Sequence, residues 1–462
     1  MGQAIRTTKL LLDLGQRTYG GANPGKRAYL EATVQVLDAA RAFYVAFFLA
    51  HPDKLSERVR YFSHKHHEER ERLISADQLL TWAEFQTVAT AEHPEPLAAW
   101  NFSQAFPDFP FIYRRAVIKD AIGKARAYLA NLSNWQKTGK QKGKPGLPRA
   151  SNHPTFYEGA FSLELAGLDL RQSFVHLKVY TGERWTWANY PVKYSRYFEQ
   201  RRTEQDWEQQ SPKLVLGRKE ASLHFPQTKE IKAKKVKESK RDADLVTVAI
   251  DLNVKNLAVI TVRQNGKVIE TLFVRDQGLD QHRYRHLRRI STKQWLSGKP
   301  VKGERSNMQL WQHTRRMNTD AAHQTARAIA RVCARYPGCV LLFERLRKIK
   351  ARGQSKSRRL NRKQANQLRG QINQLAREKA FAQGTVTIEV NPHGTSQYCS
   401  HCGAKGERFS LRGGVRVKER GGKLFSCSAC GYEVHADWNA SVNVHHSFYG
   451  EYHWHPPPKR SG

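Results

Sequence analysis

Residues 245–253, LVTVAIDLN, make an almost unbroken apolar run that stops at a carboxylate. A strand of that composition has no face to show to water. It belongs inside a sheet covered on both sides, as in parallel and mixed sheets of α/β domains. NLAVITV (256–262) and KVIETLFV (267–274) supply two more strands, joined at Asn265–Gly266, a hairpin-turn signal. GCVLLFERL (338–346) and TVTIEV (385–390) supply a fourth and a fifth. Between them, TDAAHQTARAIARVCARY places Ala322, Ala326, Ile329, Ala330 and Cys333 on one helical face. A basic loop and a second helix separate the last two strands.

A three-stranded meander followed by helix, strand, helix and strand is the element order of an RNase H-like fold. Three acids punctuate it. Asp251 ends the first strand, Glu344 ends VLLFE, and Asp437 opens DWNASVNVHH, a helical pattern. A carboxylate at the end of a buried strand is costly unless it is paired or binds a cation. Any one of these acids alone reads as a strand-end cap or an ion-pair partner. Three of them, each ending or opening an element, read as a site for hard, oxygen-liganded Mg²⁺. Two such ions about 3.5–4 Å apart would activate water and stabilise a leaving phosphodiester oxygen.

Four of the six cysteines fall in CSHC and CSAC, as Cys399, Cys402, Cys427 and Cys430. Paired CxxC spacing favours one tetrahedral, structural Zn²⁺. The 24 residues between the pairs are enough for a β-hairpin in GGVRVKERGGKLFSC. Gly403 and Gly431 follow the pairs and permit tight knuckle turns. Cys333 and Cys339 read as core.

The N-terminal half is of another kind. Residues 1–15 suggest a short strand or a lead-in. ATVQVLDAARAFYVAFFLAH (32–51) puts Val36, Ala39, Ala40, Phe43 and Phe47 on one helical face, and helical patterns continue to about residue 132. Arg114, Arg115, Lys119, Lys124 and Arg126 give the last of these a cationic surface. KTGKQKGKPGLPR (137–149) breaks the pattern, strands follow from about 155 to 228, and KEIKAKKVKESKR (229–241) is a charged linker.

Across 462 residues the net charge is +37. Self-repulsion on that scale costs stability, and a polyanionic partner, nucleic acid, explains it. Aromatic and basic residues interleave in 282–295 and 190–202, which suits base stacking or an ordinary amphipathic surface equally. The longest apolar run, Phe43 to Ala50, is about eight residues, against the ~20 of a bilayer span. No membrane partner is expected, and the start does not read as a signal peptide. The expectation is a cytoplasmic protein of the prokaryotic cytosol. His445, His446, His453 and His455 read as a histidine-rich tail.

AIDLNVKNLAV and LLFERL resemble the first two RuvC motifs of transposon-encoded TnpB proteins and compact type V CRISPR effectors. TSQYCSHCG and FSCSACGYEVHADWNASVNV resemble their zinc ribbon merging into the third motif, D-x-N-A-[AS]-x-N. AARAFY (39–44) and GKPGLPR add a thinner likeness upstream. The resemblance implies an α+β multidomain protein. Its parts would be a wedge-like β-barrel (1–24 and 136–228), a helical recognition insert (25–135), a basic linker (229–244), a RuvC nuclease (245–395 and 433–448), a zinc-ribbon target-nucleic-acid-binding domain (396–432) and a tail (449–462). It implies an RNA-guided DNA endonuclease with Asp251, Glu344 and Asp437 as catalytic Mg²⁺ ligands and the four cysteines on zinc. Partners would be a guide RNA, double-stranded target DNA with a short flanking motif, and the displaced single strand. The chain departs at Ala436, where many relatives carry Arg. An unguided transposase or resolvase, and a binding repressor without cleavage, are the rival readings.

Overall fold

The computed structural model describes residues 2–14, 24–63, 67–89, 96–137, 139, 143–148, 153–164, 173–193, 195–217, 220–232, 242, 244–253, 256–298, 307–345, 368–419 and 421–451. The chain divides into two compact units: Ile5–Thr228, and Lys229–Gly462 together with Met1–Ala4.

The first unit contains β1 (Gly2–Leu12, whose start counts with the second unit), α1 (Pro24–Ala50), α2 (Pro52–Ser56), β2 (Arg58–Ser63), β3 (Glu68–Leu73), α3 (Ala76–Thr87), α4 (Phe102–Ala105) and α5 (Phe111–Lys137). It continues with β4 (Phe161–Glu164), β5 (Phe174–Tyr180), β6 (Trp185–Lys193), α6 (Arg196–Arg202), β7 (Glu208–Gln209), β8 (Lys213–Leu216) and β9 (Ala221–Ile231). Seven strands form one sheet in the order β4-β5-β6-β1-β9-β7, with β8 also on β9. Helices and sheet share a core in which Tyr44 of α1 stacks on Phe102 at 5.0 Å between ring centres.

Ala40 and Phe47 are buried as their spacing predicts, but Ala39 is exposed. The buried stripe of α1 is centred on Leu37, Ala40, Tyr44, Phe47 and Phe48. By length and composition α1 is also apolar enough to cross a membrane, which a search for unbroken runs does not reveal. Its buried face is held in this aromatic core. The cationic surface expected on α5 is partly internal. Arg126 donates to the Leu55 and Ile74 carbonyls at 3.2 and 2.8 Å, and Arg114 pairs with Glu84 at 3.2 Å. The hairpin β2–β3 falls in a region read only as a run of helical stretches. β3 is exposed along its length, so no apolar alternation marks it.

The second unit carries β10 (Thr247–Asp251), β11 (Asn256–Gln264), β12 (Lys267–Arg275), α7 (Leu279–Leu296), α8 (Met308–Arg335), β13 (Val340–Glu344), α9 (Arg369–Phe381) and β14 (Val386–Val390). β15 (Glu407–Arg412), β16 (Val415–Lys418), β17 (Leu424–Ser426), β18 (Glu433–His435) and α10 (Ala436–Tyr449) follow. The main sheet runs β12-β11-β10-β13-β14. The meander β10–β11–β12 is antiparallel, and β13 and β14 add in parallel to β10. Asn265 and Gly266 have φ of 48° and 77°, as a tight hairpin turn between right-twisted strands requires.

Helices cover both faces, which is why the central strands are apolar throughout. Val248, Ile250, Leu341 and Phe343 pack on Ala322, Ala326, Ile329 and Cys333 of α8 and on Ile372 and Ala376 of α9. Ala249, Val340 and Leu342 pack on Val444 and Phe448 of α10. Cys333 and Cys339 are buried in the first of these layers. The region between the CxxC pairs forms three strands, β15 to β17, where a single hairpin was expected, and β18, just past the second pair, completes the sheet β16-β15-β17-β18.

Candidate metal centres

Strand alternation decides where the acids go. Ile250 pairs with Phe343, so Asp251 and Glu344 end neighbouring parallel strands one step later. Ala249 and Leu342 face α10, and a period of two sends Asp251 and Glu344 to that same face. Asp437 sits in the first turn of α10. The structure therefore brings Asp251, Glu344 and Asp437 together at one edge of the sheet, where Asp251 feels both other carboxylates.

The residues after Asp437 fix its helix. Ser441 Oγ donates to the Ala249 and Val259 carbonyls at 3.2 and 3.3 Å. Asn439 and Asn443 each donate through Nδ2 to the Tyr398 carbonyl, at 2.8 and 2.7 Å. Asp437 itself accepts from Asn253 Nδ2 at 2.6 Å, Asn256 Nδ2 at 3.0 Å and Arg408 at 2.8 Å. Thr395 donates to Glu344 at 2.5 Å.

Burial first, then Glu344 and Asp437, raise the Asp251 carboxyl well above the ordinary aspartate range, with Arg369 and Arg408 pulling it back. Burial likewise raises Glu344, against the Thr395 hydrogen bond and Arg369. Desolvation and mutual repulsion are the two penalties that a hard divalent cation relieves. The donor set is all carboxylate, which suits Mg²⁺. Sequence reasoning missed Arg369, Arg408, Asn253, Asn256 and Thr395. Asn253 and Asn256 lie inside AIDLNVKN, so their closeness to Asp251 is a usable signal. The two arginines carry no local one in a chain this basic.

The second centre is built on two knuckles. Gly403 and Gly431 have φ of 75° and 70°, a region that favours glycine. The Cys399–Cys430 and Cys402–Cys427 sulfurs lie 3.8 and 3.6 Å apart. Four sulfurs at the Zn–S distance of ~2.3 Å on a tetrahedron lie about 3.8 Å apart. Burial alone would raise the Cys427 thiol, but hydrogen bonds from the Cys430 and Ala429 backbone bring it down to about 7. The group can therefore hold a structural zinc ion.

Other expected features fall differently. His445 and His446 belong to α10 and are buried, so they are no tail. His453 and His455 lie outside the described residues. In 190–202, Tyr190 and Phe198 are buried, while Arg201 and Arg202 pair with Glu204 and Glu199. In 282–295, Tyr284 and Trp295 remain exposed. Residues 346–367, where the sequence suggests a basic loop after Glu344, lie outside the described residues.

A helix-covered mixed sheet with three acids brought together at one end, joined to a four-cysteine group that could hold zinc, defines an α+β protein with two candidate metal centres. Residues 370–444 match the family "Cas12f1-like, TNB domain", and residues 18–181 match the Aq_aa04 family. A TnpB-like protein, aq_aa05 of Aquifex aeolicus, is 30% identical over 256 residues, covering 51% of this chain and 76% of its own. The CRISPR-associated endodeoxyribonuclease Cas12f1 of Sulfoacidibacillus thermotolerans is 41% identical over 66 residues, 14% of either chain. Among solved structures, the mini-RNA-guided endonuclease CRISPR-Cas_phi3 shares the fold, with a TM-score of 0.53 at 10% identity over 97% of this chain and 93% of its own. The chain belongs to the family of TnpB proteins and compact type V CRISPR effectors.

Proposed function

We propose that the protein is an RNA-guided DNA endonuclease whose second unit is a RuvC-type, RNase H-like nuclease. The convergence of Asp251, Glu344 and Asp437 on one face at the sheet edge carries this reading. The relatives support it: one is named a CRISPR-associated endodeoxyribonuclease, and another is a mini-RNA-guided endonuclease. The net charge of +37 suits the backbones of a guide RNA, a target duplex and the displaced strand. In this reading the first unit is the wedge-like and recognition part, the four-cysteine ribbon binds target nucleic acid, and the protein acts in the prokaryotic cytosol.

Asp251, Glu344 and Asp437 would hold two Mg²⁺ ions. When bound, these supply an activated water and stabilise the leaving oxygen of the phosphodiester. Thr395 orients Glu344, while Asn253 and Asn256 orient Asp437. Arg369, close enough to act on both Asp251 and Glu344, is the cation that would meet a phosphate oxygen there. Arg408 neutralises Asp437 while no cation does.

The test uses protein purified from cells carrying its native locus. Asp251→Asn should lose Mg²⁺-dependent cleavage and still carry a defined RNA with a variable guide. Cleavage by that variant would sink the acid assignment. Heterogeneous RNA, or none, would favour the unguided transposase instead.

A further inference from the structure

Outside both centres, three histidines converge where α7 meets α8. His282 and His286 stand one turn apart on α7, and His313 stands on α8. One ring nitrogen from each lies within 4.8 Å of the others. The His286 ring centre is 4.9 Å from that of His282 and 4.6 Å from that of His313. His286 Nδ1 is buried and makes no hydrogen bond.

We propose that His282, His286 and His313 form a second transition-metal site, a three-imidazole clip between α7 and α8 that takes Zn²⁺ or a similar borderline cation. An i, i+4 pair offers both rings on one helix face, and the third ligand comes across the interface. Zn–N bonds of 2.0–2.1 Å put tetrahedral nitrogens about 3.4 Å apart. The nitrogens must close by at most about 1.4 Å, which the exposed His282 and His313 can do by small rotations. The helices are already keyed beside the site: Arg283 of α7 donates to Asn318 of α8 at 3.3 Å and to Asp280 at 3.0 Å.

Neutral imidazoles are the ligating form. All-nitrogen donors select against Mg²⁺ and in favour of Zn²⁺, Co²⁺, Ni²⁺ or Cu²⁺. Exposure of His282 and His313 leaves the fourth position to water. The ion would close the chain between residues 286 and 313 and stiffen the helix pair that links β12 to β13. The clip does not depend on the nuclease reading.

The experiment counts metal per chain after equilibrium dialysis of the full protein against micromolar Zn²⁺. Wild type should hold two ions. His286→Ala and His313→Ala should each hold one, with the unfolding temperature of wild type when all are measured in chelator. Co²⁺ added to protein whose four-cysteine site is already zinc-filled should give weak d–d bands without thiolate charge transfer. His313→Cys should restore the second ion and add that charge-transfer band. A single ion in wild type overturns the proposal. So does a second ion retained by both alanine variants, which would place it elsewhere, or a His313→Cys protein that binds Co²⁺ without the new band.

Discussion

His445 makes the second unit acid-sensitive in a way that can be isolated. It is a fully buried residue of α10, with Nδ1 2.8 Å from Thr247 Oγ1 and Nε2 3.1 Å from Thr261 Oγ1. Burial, then the nearby Arg263, lowers its pKa to about 3. The unfolded chain protonates a histidine near pH 6.5. Between those values the unfolded state binds a proton that the folded state refuses, so stability falls as pH falls. The contribution is complete above pH 6.5 and is lost progressively toward pH 3. At 1.36 kcal/mol per pH unit, lowering pH from 6.5 to 5 costs about 2 kcal/mol from this residue alone.

The perturbation is His445→Gln, which removes the titrating ring and keeps a polar side chain. The variant starts less stable at neutral pH, having lost part of the threonine bridge. Its dependence on pH should be shallower than that of wild type by those 2 kcal/mol. Hydrogen exchange of peptides spanning 436–449 measures both proteins at matched pH, so intrinsic exchange and all shared titrations cancel. Parallel pH profiles for the two would refute the reasoning, because a buried neutral histidine cannot be replaced without flattening the acid limb.

Phe343→Ala should destabilise the second unit by about 3–5 kcal/mol, since the ring is buried between strand and helices; exchange of β10 and β13 peptides measures it. Cys427→Ser should release the ribbon's zinc, seen as the loss of a tightly held ion and of exchange protection across 399–432. Arg408→Ala removes the cation that occupies Asp437, so calorimetry should find Mg²⁺ binding several-fold tighter than in wild type. Asp251→Asn removes a buried charge facing two others, and should melt a few degrees higher than wild type in chelator while gaining nothing from Mg²⁺.

What could be read in the sequence was local. Unbroken apolar strands announce a covered sheet, and acids at their ends stand out because the residues leading up to them are almost wholly apolar. CxxC spacing fixes chemistry over four residues. β3 reads as nothing, because both its faces meet water and leave no alternation. The inward turn of Arg126, and Arg408 reaching Asp437 from 29 residues away, are long-range events with no period to betray them. His282 and His286 sit inside a stretch that suits nucleic acid by composition. Only the packing of α8 on α7 brings His313 to them.

The two candidate metal centres are not independent appendages of the sheet. The chain around the first knuckle, Tyr398 to Ser400, is gripped by α10 at four points. Asn439 and Asn443 donate to the Tyr398 carbonyl, Asn439 Oδ1 accepts the Ser400 N–H at 2.9 Å, and His446 Nε2 donates to the Ser400 carbonyl at 3.0 Å. The same helix carries Asp437 in its first turn and is tied by Ser441 to β10 and β11. One rigid helix thus ties the four-cysteine ribbon to the strand ends that present Asp251 and Glu344. This gives the spacing of DWNASVN a physical account beyond its acid: the asparagines hold the ribbon, the serine holds the sheet, and the carboxylate sits where those two constraints leave it.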